Sequence, residues 1–339
     1  MAIFDIWFLL LGILLAGYAV LDGFDLGVGI LHLLAPTDHD RRLFLNSIGP
    51  IWDGNEVWLV VFGGALFAAF PPAYATVFSG FYLALIALLF ALIFRAVSIE
   101  FRSKVHAPAW RAAWDWGFFL SSLVASLLFG IAAGNAMLGI PLDARGVFTG
   151  DFFSLLNPYA LLAGGVVAAM FAMHGAIYLY LKLPDGSTRD LVRSWMWHTW
   201  GAFLVLYMLG TIYTVARVPR ALVNFDRFPW AVLIVVASVL AIANIPRAVY
   251  TGKPVQAFAS SVAAIASLVS LFGLALFPNL VTASSNPAWS LTIYNAASSP
   301  GTLKTMLVFA LIGMPFVLVY SAVVYRAFHG RVRIGEHSY

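Results

Sequence analysis

Cysteine is missing altogether from these 339 residues, and charge is scarce. The first absence excludes disulfide staples, thiolate metal sites and a thiol nucleophile. The second is more restrictive. Nineteen Lys and Arg with fifteen Asp and Glu make up 10% of the chain, where a soluble domain carries about 25%. So few charges cannot cover a water-soluble core of this size, so a soluble enzyme is excluded. There is no Walker A loop, dinucleotide fingerprint or recognisable Ser-His-Asp arrangement, and no histidines are paired at metal spacing. The net charge of +4 is too small and too scattered to suggest nucleic acid as a partner. Neither a basic n-region nor a small-residue cleavage site accompanies the first apolar run, so that run is expected to stay as a helix.

What is present is apolar sequence, 62% of the chain. A spanning helix needs roughly 20 apolar residues. Runs of that kind fall near 6–31, 55–72, 77–97, 115–138, 158–181, 198–216, 229–249, 256–278 and 304–327. They predict an all-α, polytopic membrane protein with nine transmembrane helices. The internal order suggests one integral membrane unit over 1–339, with a first four-helix group at 1–138, a second at 158–278 and a terminal helix at 304–327. Pro71 and Pro72 suggest a hairpin between the second and third runs. The run 55–72 is short and polar at its start; as a re-entrant segment it would lower the count to eight.

Nine crossings place Arg41, Arg42, Arg95, Arg102, Lys104, Arg111, Lys182, Arg189, Arg193, Arg247, Lys253, Arg326, Arg331 and Arg333 on one face. Five basic residues remain opposite. The positive-inside rule then puts the N-terminus outside and the C-terminus in the cytoplasm. The long, nearly uncharged stretch 279–303 is expected to lie flat on the protein or against a partner.

Several ionisable residues sit where lipid should exclude them. Asp22 and Asp25 lie three apart in LDGFDLGVG, on neighbouring faces of the first helix. An unpaired carboxylate at mid-bilayer costs roughly 2.5–3.5 kcal/mol. The glycines of the same motif allow another helix to approach closely, so polar partners are expected. Asp53 and Glu56 follow in NSIGPIWDGNEVW, with Asn46 and Asn55 nearby. Acidic residues in a first helical turn also have an ordinary explanation in the helix macrodipole. Arg95 and Arg102 end the third helix and Asp115 opens the fourth, which suggests arginine–carboxylate pairs. All of these fall at one end of the first group, compatible with either a structural network or a hydrated entry for protons. His174, well inside the fifth helix, is a core histidine, a buried relay or a haem ligand, the last usually requiring a second axial partner.

The motifs LDGFDLGVG, NSIGPIWDGNEVWLVVFGGALFAAFP, FSGFYLAL, FRSK, WDWGFF and SLTIYNAASSPGTLKTML together resemble subunit II of the cytochrome bd-type quinol oxidases, a class that includes the cyanide-insensitive oxidases. The resemblance runs from the first helix to the last. It implies a respiratory complex of the bacterial cytoplasmic membrane that oxidises quinol and reduces dioxygen to water. Partners implied are a haem-bearing subunit I, small single-span subunits, membrane lipids and quinone. The complex would hold haem b and haem d, or haem b only, with no catalytic residue, haem ligand or metal in this chain; a structural quinone in this subunit is a further implication. By resemblance, Asp53 matches the carboxylate of the cytoplasmic proton channel, Asp25 another important acid, and Asp22, Arg95 and Asp115 polar positions of the same region. Glu56 stands where some members have glutamine, so a relay role for its charge is not carried over. Two other functions compete: an ion-coupled secondary transporter and a purely structural partner subunit.

Overall fold

The computed structural model describes residues 2–335. Several of its helices begin where the sequence supplies a cap or a proline. Helix α1 (Ile3–Leu31) is followed by α2 (Asp38–Ile48), which opens on a reciprocal capping box between Thr37 and Asp40. Helices α3 (Trp52–Ala69), α4 (Pro71–Gly80) and α5 (Tyr82–Phe101) come next. Then α6 (Pro108–Leu138) starts at a proline and ends at Gly139, whose φ of 87° turns the chain out of the helix. Helix α7 (Pro158–Lys182) is capped by Asn157, which accepts from the Ala160 amide. Helices α8 (Ser187–Arg217), α9 (Arg220–Arg227), α10 (Val232–Tyr250) and α11 (Pro254–Leu276) follow. A small antiparallel pair, β1 (Asn279–Val281) and β2 (Leu291–Thr292), precedes α12 (Pro300–Ala327), capped by Ser299.

Among the described residues, eight helical segments are long and apolar enough to cross a membrane, and they begin at Ile3, Tyr82, Pro108, Pro158, Ser187, Pro229, Pro254 and Pro300. The ninth expected crossing, 55–72, corresponds to α3, which has 18 residues and opens on Asp53, Asn55 and Glu56. The expected hairpin at Pro71 and Pro72 is instead the first turn of α4, because proline fits the N-terminal positions of a helix. Helix α5 therefore starts later than the apolar run suggested. The short helices α2 and α9 lie in stretches with no long apolar run, and α4 bridges the ends of two runs.

Helices α1 and α7 form the centre. A β-carbon on Gly27 would collide with the backbone oxygen of Phe171, and one on Gly175 with the carbonyl carbon of Gly27. The two backbones are therefore in direct contact, a crossing that only small residues permit. Gly130 of α6 lies equally tight against Ala163 and Gly164 of α7. Pro246 lacks the N–H that would bond the Ile242 carbonyl within α10, and Trp200 of α8 donates its indole N–H to that oxygen at 3.1 Å. The stretch 279–299 packs on the protein as expected: Ile293 and Ala296 are fully buried, and Ser298 donates to the carbonyls of Ala68 and Ala69.

Candidate functional site

The ionisable residues gather at the end where α1 finishes, in two layers. Asp22, Asp25 and Arg95 have at most 1% of their surface exposed. Arg95 Nη1 donates to Asp22 Oδ1 at 2.7 Å, and its Nη2 stands 3.3 Å from Glu56 Oε2. Asn55 Nδ2 donates to Asp25 Oδ2 at 2.7 Å and to the Leu21 carbonyl at 3.2 Å. On its other side Asn55 Oδ1 accepts from the Tyr325 hydroxyl at 2.7 Å. This inner layer joins α1, α3, α5 and α12. It sets three carboxyl groups around one guanidinium. The Tyr18 hydroxyl, Asp22 Oδ2, Asp25 Oδ1 and Arg95 Nε are buried without a hydrogen-bond partner among the described residues.

The second layer lies seven residues further along both α1 and α5, about 10 Å at 1.5 Å per residue. His32 follows Asp25 by that spacing and Arg102 follows Arg95. Asp115 of α6 is the centre. Its Oδ1 accepts from His32 Nε2 at 2.6 Å and Arg102 Nε at 2.5 Å. Its Oδ2 accepts from Arg41 Nη1 at 2.7 Å and Arg102 Nη2 at 3.3 Å. Because the carboxylate can only accept, His32 carries its hydrogen on Nε2. Asp38 then takes Arg102 at 2.7 Å and Arg111 at 2.9 Å. Here cations match or exceed acids, and Asp115 is saturated by charge-assisted bonds.

Beside this layer, α2 is tied to α8. Asp40 accepts from the Thr188 hydroxyl, and from the Thr37 hydroxyl at 2.6 Å. Burial alone would raise its pKa, but the donors from Thr188 and Thr37 outweigh it and hold the carboxyl below its ordinary range.

A family profile described as cytochrome bd terminal oxidase subunit II matches residues 3–328. The chain belongs to the cytochrome bd oxidase subunit II family. It is 39% identical to cytochrome bd-I ubiquinol oxidase subunit 2 of Escherichia coli K12, over 96% of this chain and 94% of that protein. It is 34% identical to cytochrome bd ubiquinol oxidase subunit 2 of Bacillus subtilis 168, over 97% and 96%. A chain in the structure of the bd oxidase from Geobacillus thermodenitrificans shares the fold, with a TM-score of 0.78 at 18% identity over 97% of this chain and 99% of that one.

Within this bd oxidase subunit II, the residues expected to form one cluster are divided. Asp22, Asp25, Asn55, Glu56 and Arg95 meet in the inner layer; Arg102 and Asp115 meet in the second. Asn46 bonds back to the Arg42 carbonyl of its own helix at 2.7 Å. Asp53 is on the exposed face of α3. It stands three residues before Glu56, whose side chain is 22% exposed and pairs with Arg95. His174 is fully buried at a junction of three helices. Its Nε2 donates to the Val20 carbonyl at 3.0 Å, and its Nδ1 stands 2.7 Å from Ser261 Oγ. With both ring nitrogens engaged, it does not fit the role of an axial haem ligand. No group of three or more His, Asp or Glu among the described residues is arranged to hold a metal ion.

Sequence reasoning missed His32, Asp38, Arg41 and Arg111. The seven-residue echo of Asp25 in His32 and of Arg95 in Arg102 was the available signal for the first. Tyr18 and Tyr325 had no signal, because an aromatic residue in an apolar helix reads as core or belt.

Proposed function

We propose that this subunit of a bd-type quinol oxidase supports assembly with a haem-bearing subunit I and delivers cytoplasmic protons to the oxygen site held there. The observation that carries the proposal is the composition of the inner layer. Three carboxyl groups and one guanidinium leave an excess of two negative charges when all are ionised. A buried charge excess is costly, and binding one or two protons neutralises it. The unpartnered atoms of Tyr18, Asp22, Asp25 and Arg95 are groups that internal water satisfies. A layer of that kind can take up and release protons; the second layer, saturated and rich in cations, supports a structural role for Asp115.

Asp53 is the entrance on this reading. Along α3 the exposed positions Asp53, Val57, Val60, Gly64 and Phe67 form one stripe, and β-carbons on Gly54, Gly63 and Gly64 would meet nothing within 4 Å. A smooth apolar stripe with a carboxylate at one end suits close packing of a partner's helix. Protons would pass from Asp53 across that interface, with Glu56 coupling it to Arg95 and Asp22. Quinol would be oxidised and electrons carried through haem b and haem d, or haem b alone, in subunit I.

Nine crossings remain the topology that best accommodates these contacts. Asn55 at the start of α3 meets Asp25, a β-carbon on Gly17 would run into the Trp58 ring, and Leu66 and Ala69 share a buried cluster with Trp7 and Leu11. Thus α3 runs antiparallel to α1 over its 18 residues, about 27 Å, close to the roughly 30 Å of a bilayer core. We read α1, α3, α5 and α6 as one four-helix group, α7, α8, α10 and α11 as the second, and α12 as the terminal helix. The basic residues then favour a cytoplasmic C-terminus and an external N-terminus.

The test is Asp53→Asn in the assembled oxidase. Oxygen reduction and proton uptake should fall while the haem spectra stay intact. An assembled D53N complex with normal turnover and normal uptake would sink the proton-route assignment and leave the structural-partner function.

A further inference from the structure

The strongest unassigned contact is made by the last helix. Helix α12 is peripheral, and none of its most apolar window is buried within the chain. Yet near its end Tyr325 turns inward and reaches the inner layer through a single hydrogen bond to Asn55.

That bond, together with the Leu21 carbonyl, holds the Asn55 amide in one orientation. An amide offers an acceptor on one side and two donors on the other, and the two can exchange by a half-turn about the side chain. On the α1 side Asn55 faces two acceptors, the Leu21 carbonyl at 3.2 Å and Asp25 Oδ2 at 2.7 Å. On the α12 side it faces the Tyr325 hydroxyl at 2.7 Å, which can supply the matching donor. With Tyr325 donating, the –NH2 group is committed to Asp25 and Leu21. Without that hydroxyl, Asn55 Oδ1 loses its donor, and the Leu21 carbonyl alone opposes a half-turn that would bring the oxygen to Asp25, where only a protonated Asp25 can donate a hydrogen bond to it.

We propose that Tyr325 is a positioning residue that locks the Asn55 amide with its donors toward Asp25, so that the terminal helix sets how readily Asp25 exchanges a proton. The lock itself needs only the geometry; its consequence for turnover rests on the proton-route reading. The groups acting on Asp25 come from every neighbouring helix: Asp22 on α1, Asn55 and Glu56 on α3, Arg95 on α5, Tyr178 on α7 and Tyr325 on α12. Of these, Tyr178 is committed elsewhere, donating to the Ser47 carbonyl at 2.7 Å. Tyr325 alone acts on Asp25 through an amide that can reverse.

The experiment compares absolute infrared spectra of the assembled oxidase, labelled with 13C-aspartate, for wild type, D25N, Y325F and Y320F. The band lost in D25N reports Asp25 whether it is ionised or protonated. Y325F should move that band, and the pH at which oxygen reduction changes should shift by about half to one unit, the size of one hydrogen bond. Tyr320 lies on the same helix with 65% of its surface exposed, and Y320F should leave both readouts unchanged. An Asp25 band in Y325F that superimposes on wild type overturns the lock, whatever the turnover. A moved band with an unshifted pH profile keeps the lock and removes its role in proton delivery; normal turnover in D53N separately removes the route itself.

Discussion

Replacing Arg95 with Gln removes the guanidinium that Asp22 and Glu56 share, and the inner layer predicts how that loss divides among its members. The Arg95 and Asp22 side chains are 1% and 0% exposed, so bulk solvent does not reach either. Truncating one partner of a buried pair costs about 3–5 kcal/mol. R95Q should lie at the upper end, because it leaves Asp22 without its donor beside Asp25 and Glu56. D22N should lie near 3 kcal/mol or below, because Arg95 keeps Glu56 at 3.3 Å. The double variant R95Q/D22N loses both charges and should recover about 2 kcal/mol relative to R95Q, roughly thirtyfold in the unfolding equilibrium. The assay is unfolding of the purified oxidase in mixed micelles of rising sodium dodecyl sulfate content, read by tryptophan emission together with the yield of assembled complex. Additive costs, with the double variant less stable than R95Q by the full D22N increment, would refute the buried pair.

Two further perturbations follow from the packing. Gly27→Ala places a methyl group against the Phe171 backbone oxygen and should cost about 1–3 kcal/mol or block assembly, whereas Gly17→Ala meets only the movable ring of Trp58 and should be milder; equal yields for the two would contradict the α1–α7 crossing. Asp40 has a depressed pKa in the folded chain, so its bonds to Thr188 and Thr37 stabilise the fold above the ordinary carboxylate range, near pH 4. That contribution is lost as pH falls through the lower folded value. Thr188→Val should flatten this acid limb of the stability profile, and an unaltered limb would show that Asp40 does not tie α2 to α8.

The hydrophobic runs and the basic residues were legible along the chain because each helix must satisfy its backbone and match the bilayer on its own. Thr37, Asn157 and Ser299 cap the observed starts of α2, α7 and α12. The short helices α2, α4 and α9 were not legible, since a polar or proline-containing turn carries no span-length signal.

Asp22, Asp25, Asp53, Asp115, Arg95 and Arg102 could be picked out because charge in an apolar helix is costly wherever it ends up. Their sorting was another matter. Whether Arg95 meets Asp22 or Asp115, whether Asp53 faces inward, and whether Tyr325 reaches Asn55 all depend on how helices distant in sequence rotate and cross. Those rotations are decided by contacts such as Gly27 against Phe171, made only when α1 and α7 are packed together. Composition and spacing thus determined a membrane protein with acids at one end. Tertiary packing alone decided that these acids form two layers, one short of cations and one saturated by them.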